Sequence, residues 1–166
     1  MSAQAHPRLG LRPFLPADAP LLAEIFRESI ITLTGDDYSE AQRRAWAAAA
    51  DKASFGEDLR KELTLVATLE GSPVGFASLE DGDTIAMLYV HPAAAGQGVA
   101  AMLVDALERL AGHRGTPALK VDASDTAYGF FRRRGYVAER RNSVSTGGEW
   151  LATTTMRKQL APRRGS

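Results

Sequence analysis

Apolar and polar positions change period several times along the chain, and each change marks an element. Residues 9–15, Leu-Gly-Leu-Arg-Pro-Phe-Leu, predict a first strand. Pro13 favours an edge position or an early end, because proline cannot donate to a sheet ladder. Leu22, Ile25, Phe26, Ser29 and Ile30 then recur at helical spacing to about Leu33, behind Asp18 as N-cap and Pro20 in the first turn. Ser39-Glu40-Ala41-Gln42 is a Ser-x-x-Gln capping box. It predicts a second helix running through Trp46 and an alanine-rich turn to about Ala53. The period then drops to two. Residues 63–69 alternate, Glu70-Gly71-Ser72-Pro73 is a turn, and residues 74–79 return as the second arm of a hairpin. Asp81-Gly82-Asp83 turns into a continuous apolar run over 85–90, which reads as a buried central strand.

Pro92 ends that strand, and small residues follow. Val99, Met102, Leu103, Ala106, Leu107 and Leu110 then form one helical stripe, which Gly112 and Gly115 stop. Residues 118–121 predict a short strand. It must lie parallel to the central one, since a helix joins the two. Asp125 opens a short helix with Gly135 just past its end. Residues 137–145 and 149–156, around Gly147-Gly148, predict a last hairpin. The order β-α-α-β-β-β-α-β-α-β-β describes an α+β fold on a mixed, mostly antiparallel sheet with a central parallel pair.

Composition narrows the function. The chain has 166 residues, 45% hydrophobic and 24% charged, which suits one soluble globular domain spanning 1–166. Its ordered core is expected at about 8–160, between loose tails at 1–7 and 161–166. A formal net charge of zero gives no general attraction to nucleic acid or an anionic membrane. There is no cysteine, no membrane-length apolar run and no signal-peptide core, so the expected location is the cytoplasm. His6, His91 and His113 lack metal-ligand spacing, and nothing marks a nucleophile elbow, so no metal site and no Ser-His-Asp site are expected.

The chemistry concentrates at the strand–loop–helix junction. A small-residue loop entering a helix aims unpaired backbone N–H groups at one point, and the helix dipole adds partial positive charge there. Ala95, Gly96, Gln97, Gly98, Val99, Ala100 and Ala101 therefore form a candidate phosphate or pyrophosphate site. The stretch lacks the Gly-Lys-Ser/Thr of a Walker loop and the Gly-x-Gly-x-x-Gly of a dinucleotide fold.

The junction resembles the GNAT acetyltransferase superfamily, whose members carry a strand, His-Pro, then Gln/Arg-x-x-Gly-x-Gly/Ala opening a helix. Here His91-Pro92, Gly98 and Ala100 fit, while Ala95 stands where Gln or Arg is usual. A second patch is similar to another pattern of the family: Val121, Ala127, Phe130, Gly135 and Tyr136 match. Asp125 stands for the usual asparagine and Phe131 for the usual tyrosine. The element order is also that of the family. Asp37 to Trp46, with Asn142, Trp150, Met156 and Lys158, resembles a branch of small bacterial members.

The resemblance implies acetyl-CoA as donor and a primary amine, on a small molecule or a peptide, as acceptor. It places the coenzyme A pyrophosphate on the 95–101 amides. The central strand would splay from its parallel neighbour to admit the pantetheine arm, with Leu88 or Val90 supplying an oxyanion N–H. Phe131 holds the position that usually faces the cofactor. An alkylammonium has a pKa near 10, so a base is wanted. The central strand carries Thr84, Ala86 and Met87 where relatives place carboxylates, leaving Asp83 nearest, with Asp81 and Glu80 behind it, although all three read more readily as turn residues. Phe131 has no proton for the leaving thiolate, so Tyr128, three residues earlier, is the candidate acid. Arg132, Arg133 and Arg134 read as a solvated charge run with possible reach to phosphates. Tyr38 and Trp46 are the candidate acceptor contacts, and the last hairpin is a possible homodimer edge. A non-catalytic acyl-CoA-binding module on the same fold is the rival.

Overall fold

The computed structural model describes residues 8–160. The predicted tails, and His6 with them, lie outside the described residues. The chain runs β1 (Leu9–Pro13), α1 (Ala19–Leu33), α2 (Glu40–Ala47), α3 (Ala53–Lys61), β2 (Leu63–Leu69), β3 (Ser72–Glu80), β4 (Thr84–Val90), α4 (Val99–His113), β5 (Ala118–Ser124), α5 (Asp125–Arg133), β6 (Val137–Thr146) and β7 (Glu149–Gln159). The strands form one seven-stranded sheet in the order β1-β2-β3-β4-β5-β7-β6. Only β4 and β5 pair in parallel, as the crossover through α4 requires.

Helices cover both faces. On one face Leu103, Leu107, Phe131 and Met156 bring α4, α5 and β7 into a core with Ile85, Val121 and Ala123. On the other, Leu22, Ile25, Phe26, Phe55 and Leu59 pack α1 and α3 onto Val66 and Phe76, with Met87 and Tyr89 against them. Alternation along β4 thus sends Leu88 and Val90 to the α4 face and Met87 and Tyr89 to the α1 face.

Several elements depart from expectation, each for a local reason. The second helix stops at Ala47, and a 3-10 turn over Ala48–Asp51 precedes α3. The polar run around Gly56 masks α3, whose buried apolar contacts are Phe55 and Leu59. β1 ends at Pro13, although the Phe14 N–H still reaches Thr64 O at 3.0 Å. Asp18 occupies the N-cap position of α1 without capping it. Its carboxylate instead accepts from the Leu15 N–H and from both terminal nitrogens of Arg12, each at 2.8 Å. The α2 capping box forms as read: Ser39 Oγ accepts from the Gln42 N–H at 3.1 Å, and Gln42 Oε1 from the Ser39 N–H at 2.8 Å. β5 continues three residues past the expected Val121, to Ser124.

Candidate active site

The parallel ladder between β4 and β5 holds only Thr84↔Lys120 and Ile85↔Val121, and beyond that point the strands part. A bulge sits at the same place. On the β3 side Ile85 pairs with Leu79 and Met87 with Ser78, leaving Ala86 as the extra residue. A bulge bends its strand and raises the local twist, which turns β4 away from β5. The His91 N–H points to β3, donating to Val74 O at 2.8 Å. Period-two alternation therefore turns the amides of Val90 and Leu88 the other way, into the gap. These are the two amides expected to face the donor.

The loop at the mouth of the gap is fixed from within. His91 Nδ1 accepts from the Ala93 N–H at 3.0 Å, and the Ala94 and Ala95 amides close onto His91 O and Pro92 O at 2.9 and 3.2 Å. His91 thus shapes the turn. Gly96 and Gly98 adopt φ of +78° and +81°, where a Cβ is strained, and a Cβ on either would meet nothing within 4 Å. Their requirement is conformational, and the space before them is open. Gly98 is the N-cap of α4 and has no side chain to offer the helix. The first α4 turn closes when the Met102 N–H reaches Gly98 O at 3.0 Å, so the Val99, Ala100 and Ala101 amides have no intrahelical acceptor. Gly75 lets this end approach the sheet: a Cβ there would sit 3.1 Å from Val99 Cγ1 and 3.0 Å from Tyr89 O.

The acid and base candidates are not brought to this gap. Asp83 lies at the closed end of the parallel pair, its Oδ1 accepting from Thr84 Oγ1 at 2.8 Å and its carbonyl from the Lys120 N–H at 2.9 Å. Leu88 is five residues on, roughly 16 Å at about 3.3 Å per residue, so Asp83 acts as a turn residue. Tyr128 lines an open cleft of about 700 Å³ with Asp37, Asp125, Thr154 and β6 residues including Arg141. That cleft is on the flank of α5 facing β6. The opposite flank carries Phe130, over which Arg134 lies while pairing with Asp105 of α4. Phe131 is 2% exposed, with ring centroids 5.2 Å from Phe130 and 5.1 Å from Tyr136, so it packs the core. Of the three arginines, Arg132 and Arg133 are exposed.

The two expected acceptor contacts do come together, as part of an aromatic cluster. Tyr38 and Trp46 lie 5.4 Å apart, and Trp46 Nε1 donates to Tyr89 Oη at 3.3 Å. Tyr38 is 5% exposed and works as a strut. Its hydroxyl donates to Ala152 O at 2.6 Å and accepts from the Asp125 N–H at 2.8 Å, tying the loop before α2 to β7 and α5. Burial raises its phenol pKa above the ordinary value. Trp46 is half-buried. The α5 cap is Ser124, one residue before Asp125: its Oγ accepts from the Ala127 N–H at 3.1 Å. Asp125 instead takes both terminal nitrogens of Arg141, at 2.5 and 3.0 Å. Sequence reasoning missed the Ala86 bulge and the Ser124 cap; only the second leaves a signal, a Ser three residues before a helical Ala.

Comparison with known proteins places this geometry. A family model described as an acetyltransferase (GNAT) domain matches residues 34–160. The chain is 33% identical over 149 residues to the uncharacterised N-acetyltransferase YafP of Escherichia coli (strain K12), covering 90% of this chain and 95% of that one. The structure of a GCN5-related N-acetyltransferase from Rhodopseudomonas palustris superposes with a TM-score of 0.90 at 57% identity, covering 96% of this chain and 99% of that one. The PaiA N-acetyltransferase from Thermoplasma acidophilum, solved in complex with coenzyme A, shares the fold with a TM-score of 0.75 at 18% identity over 92% of this chain and 99% of that one. The chain belongs to the GNAT acetyltransferase family, and its activity class is N-acetyl transfer.

Proposed function

We propose that the protein moves the acetyl group of acetyl-CoA to a primary amine, carried by a small molecule or a peptide, by direct attack on the thioester. The observation that carries this is the pairing of an uncapped α4 N-terminus with a strand gap whose free amides belong to Leu88 and Val90. Pyrophosphate suits the first, because the amides of Gly96 to Ala101 and the helix dipole favour an anion close to the backbone. An extended amide-bearing arm suits the second, because β4 has lost its β5 partner there. Bound acetyl-CoA supplies the acetyl thioester. Leu88 or Val90 then offers an N–H to the carbonyl oxygen as charge develops on it. The PaiA N-acetyltransferase of the same fold was solved in complex with coenzyme A, which supports coenzyme A as the carrier of the acetyl group.

The amine approaches from the α1 face, beside the half-buried Trp46. Neither Tyr128 nor Asp83 has a part in this scheme, and Phe131 shapes the core beneath the cofactor path. Acetyl-CoA is an intracellular metabolite, which favours a cytoplasmic enzyme. β6, at the free edge of the sheet, is the strand through which a homodimer would pair.

Calorimetric titration of acetyl-CoA into wild type and Gly98→Asp tests the cofactor site. The substitution sets a side chain and a negative charge where the pyrophosphate is assigned. Wild type is expected to bind, and the variant to lose about 100-fold or more in affinity. Equal binding by both proteins would remove the pyrophosphate from this loop.

A further inference from the structure

We propose that Asp122 is the catalytic base of the transfer, held in place by a relay of side chains from β7 and β6; this rests on the acetyl-transfer function proposed above. Asp122 is the first residue of β5 beyond the last parallel pair, Ile85↔Val121. It therefore stands at the fork of the two strands, level with the Ala86 bulge. Parallel strands lie about 4.8 Å apart before they part, and Leu88 is two residues, roughly 7 Å, further along β4, so a group held at the Leu88 amide lies one short step beyond the Asp122 carboxylate. Leu119, Val121 and Ala123 face the α4 core, which turns Asp122 to the opposite face, shared with Met87 and Tyr89. That is the face assigned to the amine. Asp122 is exposed there.

The carboxylate does not hang free. Thr155 Oγ1 donates to Asp122 Oδ1 at 2.6 Å, Asn142 Nδ2 donates to Thr155 Oγ1 at 2.8 Å, and Arg140 Nε donates to Asn142 Oδ1 at 2.9 Å. Arginine can only donate and a carboxylate can only accept, so every bond in the chain runs toward Asp122. Such a chain polarises along its length and fixes one carboxylate oxygen. The other oxygen is left for an ammonium group.

The step balances as follows. Asp122 takes one proton from the bound R–NH3+, giving R–NH2 and a neutral carboxyl. The nitrogen lone pair forms the C–N bond to the acetyl carbon, and the C–S bond breaks with its electron pair on sulfur. The nitrogen releases a second proton to the thiolate, giving the amide and coenzyme A thiol, and Asp122 returns its proton to water. On the same face the charged neighbours are Lys120 of β5, Arg157 of β7, and Arg140 and Glu139 of β6, Glu139 accepting from Arg157 Nε at 3.1 Å, while the titratable neighbour on β4 is Tyr89. Tyr89 is pushed up to about 12 and stays uncharged through the useful range.

Two nearly isosteric acceptors separate this role from a structural one: ethylamine, which must lose a proton, and trifluoroethylamine, which is uncharged at neutral pH. With Asp122→Asn, kcat/KM for ethylamine at neutral pH is expected to fall about 100-fold or more, and that for trifluoroethylamine by less than about threefold. The variant's ethylamine rate should keep rising with pH as the free amine accumulates. Its acetyl-CoA affinity, read by calorimetry, should match wild type. Thr155→Val, which leaves the carboxylate but removes its orienting donor, should lower kcat for ethylamine about tenfold. An equal loss with both amines, or no loss with either, overturns the assignment while leaving the transferase intact. Wild type that binds acetyl-CoA but acetylates neither amine overturns the assignment together with the transfer it serves, and wild type that fails to bind overturns the cofactor site.

Discussion

The two sides of the β4–β5 gap are built from different material. Toward α4, the groups we propose to meet a ligand are main-chain amides, from Gly96 to Ala101 and from Leu88 and Val90. Toward α1, they are side chains gathered from distant segments: Trp46 from α2, Asp122 from β5, Thr155 from β7. The first side needs a backbone path, so it depends on glycine torsions and a helix terminus. The second needs struts, and Tyr38 is the clearest of them, joining the loop before α2 to both β7 and α5. If the two sides are separate constructions, each should be damaged without the other.

The largest effect on stability at neutral pH should come from removing that strut. Tyr38→Phe deletes one hydroxyl and leaves the Ala152 carbonyl and the Asp125 amide without their partner. Stability is expected to drop by about 2 kcal/mol, measured by urea unfolding. The KM for the amine should rise, because Tyr38 also packs on Trp46. The acetyl-CoA affinity should stay within about twofold, since the donor loop touches none of these groups. A matching loss of cofactor affinity would show that the two sides are one unit.

The same division explains what the sequence could show. A backbone site announces itself: His91-Pro92, the alanines and two glycines before an apolar stripe are a contiguous signal, and the uncapped helix lies where they put it. The parallel pair follows from the crossover rule alone. Side-chain sites are scattered, so they need strand limits correct to one residue. Ending β5 at Val121 removed Asp122 from the sheet, although the alternation Leu119, Val121, Ala123 continues and would have set it on the opposite face. Assigning Asp125 to the asparagine place hid the cap at Ser124. Reading Tyr38 as an acceptor contact was natural for a tyrosine before a helix, but its partners lie 87 and 114 residues away. The bulge at Ala86 has no sequence mark, because alanine neither favours nor forbids it.

A pH experiment sharpens the contrast, because the donor loop over 95–101 contains no titratable side chain. The α1 side does. Burial pushes the Tyr89 phenol up to about 12, against about 10 in an unfolded chain. A group whose pKa is raised by folding contributes fully below its unfolded value and loses that contribution as pH rises through its folded one. Stability should therefore fall between about pH 10 and about pH 12, with Tyr89 responsible for about 2 kcal/mol of the decline. Urea unfolding across that range should show a flatter profile for Tyr89→Phe. Some slope should remain, because Tyr38 and Tyr136 are shifted in the same direction by burial. An unchanged slope in the variant would mean that the phenol is solvated in the folded protein.

The smallest effect tests the donor side from the opposite direction, by addition. Ala95 is exposed and has φ −63° and ψ 144°, torsions that arginine adopts without strain. Family members usually carry Gln or Arg at this place, so Ala95→Arg supplies the polar anchor that this chain omits. If main-chain amides already hold the pyrophosphate, a flexible surface cation adds only a screened contact, and acetyl-CoA should bind about threefold tighter at low salt. The gain should vanish above about 0.5 M salt, where the screening length has shrunk to a few ångströms. Titrations of wild type and variant at two salt concentrations measure both quantities. A gain of tenfold or more that survives high salt would mean that a side-chain grip, and not the backbone, limits affinity in this protein. No gain at either salt would place the phosphates away from residue 95 and confine the anion site to the glycines and the first turn of α4.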